Sequence, residues 1–248
     1  MVWLALWLSF APAEAGFTPE DASALLAKDV DELIRMVAEA SDYKAMMPAT
    51  PLGPVIGLDV GLNVNVVRST SLFADAMKRA GVQKPVPAYL PFPMFNLHKG
   101  LPWNFDIGMS YVAYQGNSEL GGDLKWALVK GKMASKGVIV AARTSYSRTH
   151  LFFMRTSSTK FELLASAKVN YFFDPYIGAG MQFLSGDLDV PVGGVKGIPA
   201  GISRHYSGSA PYVFIGVPLS LGFIKLTFEE SYSFFRLNTY AGKISLYF

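Results

Sequence analysis

The stretch Ile56-Gly57-Leu58-Asp59-Val60-Gly61-Leu62-Asn63-Val64-Asn65-Val66 decides the fold. Every second residue is a large aliphatic, and only glycine, aspartate and asparagine stand between them. Side chains of a strand alternate between the faces of a sheet, so a period of two gives one greasy face and one polar face. The same alternation returns over 103–113, 120–128, 138–146, 161–171, 175–183, 213–223, 224–234 and 240–248. A tenth strand, Tyr89 to His98, carries Pro91 and Pro93 on one face, which marks it as irregular or poorly paired there.

Across the nine clear strands the apolar faces carry one charge, Glu230, and the opposite faces carry twelve. A soluble sandwich would alternate in the same way, so aromatic placement and lengths have to decide. In an up-and-down chain, Trp103, Trp126, Tyr171 and Phe248 fall at one end of their strands, and Tyr146, Phe161, Phe183, Phe234 and Tyr240 at the other. Two such girdles mark the interfaces of a membrane barrel. Most strands reach the roughly 9–11 residues that cross a bilayer, about twice the soluble mean. Short joints are expected on one side, at Lys99–Pro102, Lys130–Lys136, Phe172–Asp174 and Gly222, and long ones on the other, at 69–87, 149–158 and 186–210. That asymmetry is how outer-membrane barrels are threaded.

Composition agrees. The 248 residues are 51% hydrophobic and 17% charged, with a mean hydropathy of +0.27. No stretch reaches the roughly 18 uninterrupted apolar residues of a transmembrane helix. Zero cysteines exclude disulfides and thiolate chemistry, and a net charge of +3 without a basic run gives no footprint for nucleic acid.

At the amino terminus, the apolar run Val2–Phe10 and the Ala13-Glu14-Ala15 pattern predict a signal peptide over 1–15, although no Lys or Arg precedes Lys28. Thr18-Pro19-Glu20-Asp21 opens an amphipathic helix over 18–40, with Leu26, Val30, Leu33 and Val37 on its stripe; Pro48, Pro51, Gly53 and Pro54 end it. Residues 16–54 are thus expected to form a periplasmic or plugging helix and linker, more simply a helix packed on the domain, and 55–248 the barrel. Ser71 to Ala80, stopped by Gly81, reads as a short helix in the first long loop.

An exported chain of alternating strands that ends Tyr240-Ala241-Gly242-Lys243-Ile244-Ser245-Leu246-Tyr247-Phe248 resembles a Gram-negative outer-membrane β-barrel. Tyr240, Ile244, Leu246 and Phe248 resemble the signal by which the barrel-assembly machinery recognises its clients. His98-Lys99-Gly100-Leu101-Pro102 followed by Phe105-Asp106-Ile107-Gly108, with the helix before the first strand, resembles an uncharacterised family of such barrels. The resemblance implies an all-β, antiparallel, up-and-down transmembrane barrel of about ten strands in the outer membrane, with both termini periplasmic. Its implied neighbours are the lipid bilayer, lipopolysaccharide and the assembly machinery, and it supplies no activity and no cofactor.

With the apolar face in lipid, the other face lines the lumen. Its charges are Asp59, Asp106, Glu119, Asp123, Glu162 and Glu229 against Lys125, Arg143, Lys160, Lys168, Lys225 and Lys243. The balance points to cross-lumen ion pairs in a narrow barrel, with a small-solute pore as the alternative. Glu230, alone on the lipid face, marks a bulge or a place near the headgroups. A hydrolytic site would have to combine His150 or His205 with Ser147, Asp187 or Asp189 at the outer rim; Asp187 and Asp189 have no further ligand spacing for a metal. Leu72, Phe73, Ala76 and Met77 in one outer loop and Leu151, Phe152, Phe153 and Met154 in another offer a lid or a surface for an envelope partner, as does the N-terminal helix. The chain is therefore expected to be a non-enzymatic structural or interaction component.

Overall fold

The computed structural model describes residues 27–79, 85–114, 116–128, 137–151, 154–170, 172–190 and 202–248. The expected signal peptide, the first part of the helix expected at 18–40, the turn at 130–136 and the pair Phe152–Phe153 lie outside them. Ten antiparallel strands form a closed barrel. They are β1 (Leu58–Arg68), β2 (Tyr89–Gly100), β3 (Phe105–Tyr114), β4 (Asn117–Ala127), β5 (Val138–Leu151), β6 (Met154–Ala167), β7 (Tyr176–Val190), β8 (Ile202–Leu221), β9 (Ile224–Ser233) and β10 (Leu237–Tyr247). Helix α1 (Ala27–Ala40) precedes β1, and α2 (Ser71–Arg79) lies between β1 and β2.

Each strand pairs with its neighbours in sequence, and β1 closes on β10 from Asp59↔Tyr247 to Val67↔Thr239. Leu58 N donates to Phe248 O at 3.0 Å and Phe248 N to Leu58 O at 2.9 Å, so the ends of the barrel chain meet at one mouth. Closure leaves no free edge, which a backbone in lipid requires.

The two faces resolve as the alternation demands, and inside out relative to a soluble protein. Leu62, Leu163 and Ile177 are each 60% exposed on the outer face, whereas Lys125 is 1% exposed on the inner one. A continuous belt of apolar side chains left so open is the surface that a lipid-facing wall presents. Phe105 stacks on Trp126 at 5.6 Å near the mouth that holds Phe248, and Tyr232 meets Phe234 at 5.6 Å near the other. Glu230 faces outward, and the ladders to Tyr240 and Ile215 pass it without a bulge. It lies two residues from Tyr232, at the level of the far girdle.

Several strand ends differ from the sequence expectation. Trp103 is not in β3 but in a short 3-10 turn, Pro102–Asn104, with φ of +61°. Instead of a long loop over 149–158, β5 and β6 run on to Leu151 and Met154, with His150 opposite Arg155. Similarly β7 and β8 pair as far as Val190↔Ile202, well into the loop expected over 186–210. Above the lipid belt both faces of a strand are polar, as in Arg155-Thr156-Ser157-Ser158, so hydropathic alternation stops while hydrogen bonding continues. The result is a tall wall of β5 to β8 beside a lower rim elsewhere.

Tyr89–Gly100 is a full strand toward β1, with every residue from Tyr89 to Lys99 paired. Toward β3 the ladder covers only Phe95↔Tyr111 to Gly100↔Asp106. The two prolines lie just beyond the point where it stops.

Candidate functional site: the filled lumen

The interior of the barrel is occupied by the chain's own N-terminal segment. Helix α1 lies in the mouth opposite Phe248. Val30 and Ile34 pack on Met154 and Leu188, while Met36 and Ala40 pack on Val67, Phe73, Leu90 and Leu237. Asp29, Glu32 and Glu39 of the helix are buried along with its apolar stripe. Glu32 accepts from Thr70 Oγ1 at 2.5 Å and from Arg35, and Glu39 accepts from Thr239 Oγ1 at 3.2 Å. Outside the mouth, Arg204 of β8 donates through two nitrogens to Asp31 at 3.0 and 2.9 Å.

From Ser41 the chain runs down the lumen as an extended strap and leaves near Gly53, beside the first residue of β1. Proline at 48 and 51 suits an extended segment that makes no ladder. Its polar groups are met by strands on every side. Asp42 pairs with Lys160 and accepts from Ser147 Oγ at 3.3 Å and Gln182 Nε2 at 3.4 Å. The Asp42 carbonyl accepts from Asn65 Nδ2 at 2.7 Å, and the Tyr43 carbonyl from Lys160 Nζ at 3.0 Å. Lys44 Nζ donates to Ser231 Oγ at 2.8 Å. Lower down, Lys125 Nζ donates to the carbonyls of Pro48 at 2.7 Å and Thr50 at 3.0 Å, and Leu52 N donates to Asp106 Oδ1 at 3.1 Å. Thr50 Oγ1 donates to Asp174 Oδ2 at 2.6 Å.

Tyr43 is the central anchor. Its hydroxyl donates to Asp123 and lies 2.9 Å from His98 Nε2. His98 Nδ1 in turn faces Asp59 Oδ1 at 4.0 Å, and Asp59 is held by Lys243 at 2.6 Å and Lys225 at 3.4 Å. The hydroxyl fits because residue 108 is glycine, where a Cβ would sit 2.5 Å from it. Gly186 makes the same allowance for Ile34 of α1, whose Cγ2 a Cβ would meet at 2.4 Å.

Of the twelve residues expected to line the lumen, eleven are buried on the inner face: Asp59, Asp106, Glu119, Asp123, Lys125, Arg143, Lys160, Glu162, Lys225, Glu229 and Lys243. Lys168 is corrected; β6 ends at Ala167, and Lys168 is exposed in the joint that follows. The pairing also differs in kind from the expected cross-lumen bridges. Because the strap fills the middle, charges pair with it or along the wall. Lys125 meets Asp106 at 2.8 Å, and Arg143 meets Glu162, whose other oxygen accepts from Tyr212. Tyr176 donates to Glu229 at 2.7 Å, and Ser110 to Glu119 at 2.7 Å. Inward aromatics complete the packing beneath, with Tyr176, Tyr212 and Phe214 clustered around Ala49.

Asp42, Tyr43, Lys44 and Thr50 were invisible to strand alternation, and His98 had no partner in sequence. The only signal was the length of the non-helical stretch 41–54 with its prolines, which reads equally well as a linker. The end strand keeps Tyr240, Ile244, Leu246 and Phe248 on the outer face, each exposed.

Of the residues considered for hydrolysis, His205 and Asp187 meet, while Ser147 and His150 lie elsewhere in the wall. Ser147 is buried against the strap, donating to Asp42 and accepting from Tyr43 N. His150 lies in β5, opposite Ser118 of β4 and Arg155 of β6. His205 Nδ1 meets Asp187 Oδ1 at 2.7 Å across β7 and β8 in an exposed pair, and Asp189 accepts from Ser203 Oγ at 2.7 Å. Among the described residues no three histidine or acidic side chains form a metal-binding group. Met154 is turned inward onto α1, and Phe73 of α2 joins the core while Leu72 stays outside.

Fold and lumen together define a ten-stranded transmembrane β-barrel with an internal strap. No protein-family model and no curated protein matches the chain. Among solved structures it is similar to Ail, the attachment invasion locus protein of Yersinia pestis, at 8% identity and TM-score 0.37, over 76% of this chain and 93% of that one. It is similar also to the N-terminal β-barrel domain of Pseudomonas aeruginosa OprF, at 10% identity and TM-score 0.34, over 76% and 96%. Neisserial surface protein A follows at 9% identity and TM-score 0.31, over 77% and 97%.

Proposed function

We propose that this chain is a non-enzymatic β-barrel of a Gram-negative outer membrane that acts as a structural or interaction component, closed by its own strap. The observation that supports this reading is the strap: residues 41–52 run the length of the lumen and bond to side chains of β1, β3, β4, β6, β7 and β9. A path for solutes would have to break several of these buried contacts at once. Placing Phe248 and the short joints in the periplasm, where the assembly machinery would meet the last strand, puts α1 and the tall β5–β8 wall outside, against lipopolysaccharide and any envelope partner. In that orientation Ala27, the first described residue of α1, stands at the outer mouth and Phe248 at the periplasmic one.

Planar-bilayer recording tests this directly. The wild-type barrel is expected to give no steady unit conductance, and a Tyr43→Ala, Lys44→Ala variant, with the strap loosened, is expected to give one. Steady unit currents from the wild type would overturn the closed-barrel reading in favour of a narrow pore.

A further inference from the structure

Where β5 and β6 rise past the far girdle, their outward side chains change from apolar to basic. Tyr146 closes the apolar face of β5, and the next two outward residues are Arg148 and His150. On β6, Ser157 stands opposite Arg148 and Arg155 opposite His150, so the four side chains form one square on the outside of the wall. Opposed side chains of a sheet lie about 5 Å apart at Cβ and diagonal ones about 7–8 Å, so both guanidiniums can reach one small group between them.

The chain itself leaves these charges uncompensated. Among the described residues, none pairs with the side chains of Arg148, His150 or Arg155. The acid in register is Asp187, opposite Arg155 on β7, and its carboxylate is taken from the other side by His205 at 2.7 Å. Asp189, two residues further along β7, accepts from Ser203. Like charges crowded on one face weaken a sheet, and an anion placed between them removes that cost.

Depth selects the source of the anion. Two residues of a strand that rises about 3.4 Å per residue and tilts about 40° climb about 5 Å, which puts Arg148 just beyond Tyr146 and the hydrocarbon edge. Beside and below the square the outer face is apolar and exposed, with Leu120 opposite Arg148, and with Tyr146 and Phe161. A soluble anion would use the charges alone, whereas a lipid uses the charges and this footing together. Charge selects the headgroup. A phosphate monoester carries about −1.5 to −2 near neutral pH and three free oxygens, more than a diester offers. Arginine forks donate to such oxygens in pairs, Arg148 from one corner and Arg155 from the other, with His150 and Ser157 completing the ring.

We propose that Arg148, His150, Arg155 and Ser157 bind the phosphate monoester headgroup of an outer-leaflet lipid, whose acyl chains lie on Leu120 and Tyr146. The proposal rests on the outer-membrane reading above, which sets the leaflet.

The test uses the full chain in phosphatidylcholine vesicles with a minor share of either phosphatidic acid, a monoester, or phosphatidylglycerol, a diester, with the same acyl chains. Lipid retained on the barrel after extraction into mild detergent is counted by native mass spectrometry. Wild-type retention of phosphatidic acid is expected to exceed that of phosphatidylglycerol several-fold and to persist under excess inorganic phosphate. An Arg148→Gln, Arg155→Gln variant is expected to lose the preference while its heat-modifiable gel migration stays that of the wild type. A Lys78→Gln, Arg236→Gln variant removes the same charge from exposed positions elsewhere and is expected to keep it. Equal retention of the two lipids by the wild type, displacement by inorganic phosphate, or the same preference in both variants would overturn the proposal and leave the membrane reading intact. A chain that does not enter the vesicles would overturn both.

Discussion

The outer and inner faces of the barrel wall are built from alternate residues of the same strands, yet they answer to different constraints. Outside, Leu62, Leu163 and Ile177 meet fluid acyl chains, which fit themselves to any apolar shape. Inside, Lys160 has to find the Asp42 carboxylate and the Tyr43 carbonyl, and Tyr43 has to find Asp123 and His98. The outer face is thus specified by composition and the inner face by partner. Substitutions that conserve polarity should be tolerated on the first and punished on the second.

Changes at three positions break or sharpen that contrast. Lys160→Met removes one half of a buried ion pair and leaves Asp42 uncompensated, which costs about 3–5 kcal/mol by comparison with other buried pairs. The expected result is a clear fall in the urea midpoint of the refolded barrel; an unchanged midpoint would mean that the strap adds nothing to stability. Next comes Leu163→Arg on the lipid face, opposite Ala142 midway along the apolar face of β5, where a charge near mid-membrane costs about 2–4 kcal/mol. Leu163→Met at the same position is expected to stay within about 0.5 kcal/mol, so the pair of variants separates polarity from shape. Tyr43→Phe keeps the ring and loses the hydroxyl, leaving Asp123 only His98 Nε2, 3.5 Å away, at a cost of about 1–3 kcal/mol. Thermal gel-shift assays should place this variant between the other two classes, and wild-type behaviour would remove Tyr43 as the anchor.

The same contrast explains what could be read from the chain. The greasy face repeats every second residue for as long as a strand is in lipid, so ten strands, their outward residues and the tenth strand's weakness at Pro91 and Pro93 were all legible. Where β5 and β6 rise beyond the lipid, Arg148-Thr149-His150 and Arg155-Thr156-Ser157 are polar on both sides, and hydropathy gives no sign of the strands there. Lys168 continued the period of two by one step past the end of β6, a boundary that hydropathy does not mark. The strap was hidden for a different reason. Asp42 and Lys160, or Lys125 and the Pro48 carbonyl, are joined by contacts more than seventy residues apart, and no local pattern encodes which inner-face charge meets which part of an extended segment.

The strap's path through the barrel also constrains how the molecule is made. β1 and β10, at opposite ends of the sequence, form the seam that closes the ring, and that pairing demands the largest loop closure in the chain. The segment ahead of β1 enters by one mouth and leaves by the other, with helix α1 lodged at the entrance as a toggle. A cylinder already sealed would have to let that toggle and its buried charges pass end to end. The simpler order is that the strands curl around the segment and the seam is sewn afterwards, with Asp42, Tyr43 and Lys44 serving as the mandrel on which the inner faces of β2, β4, β6 and β9 find their angular positions.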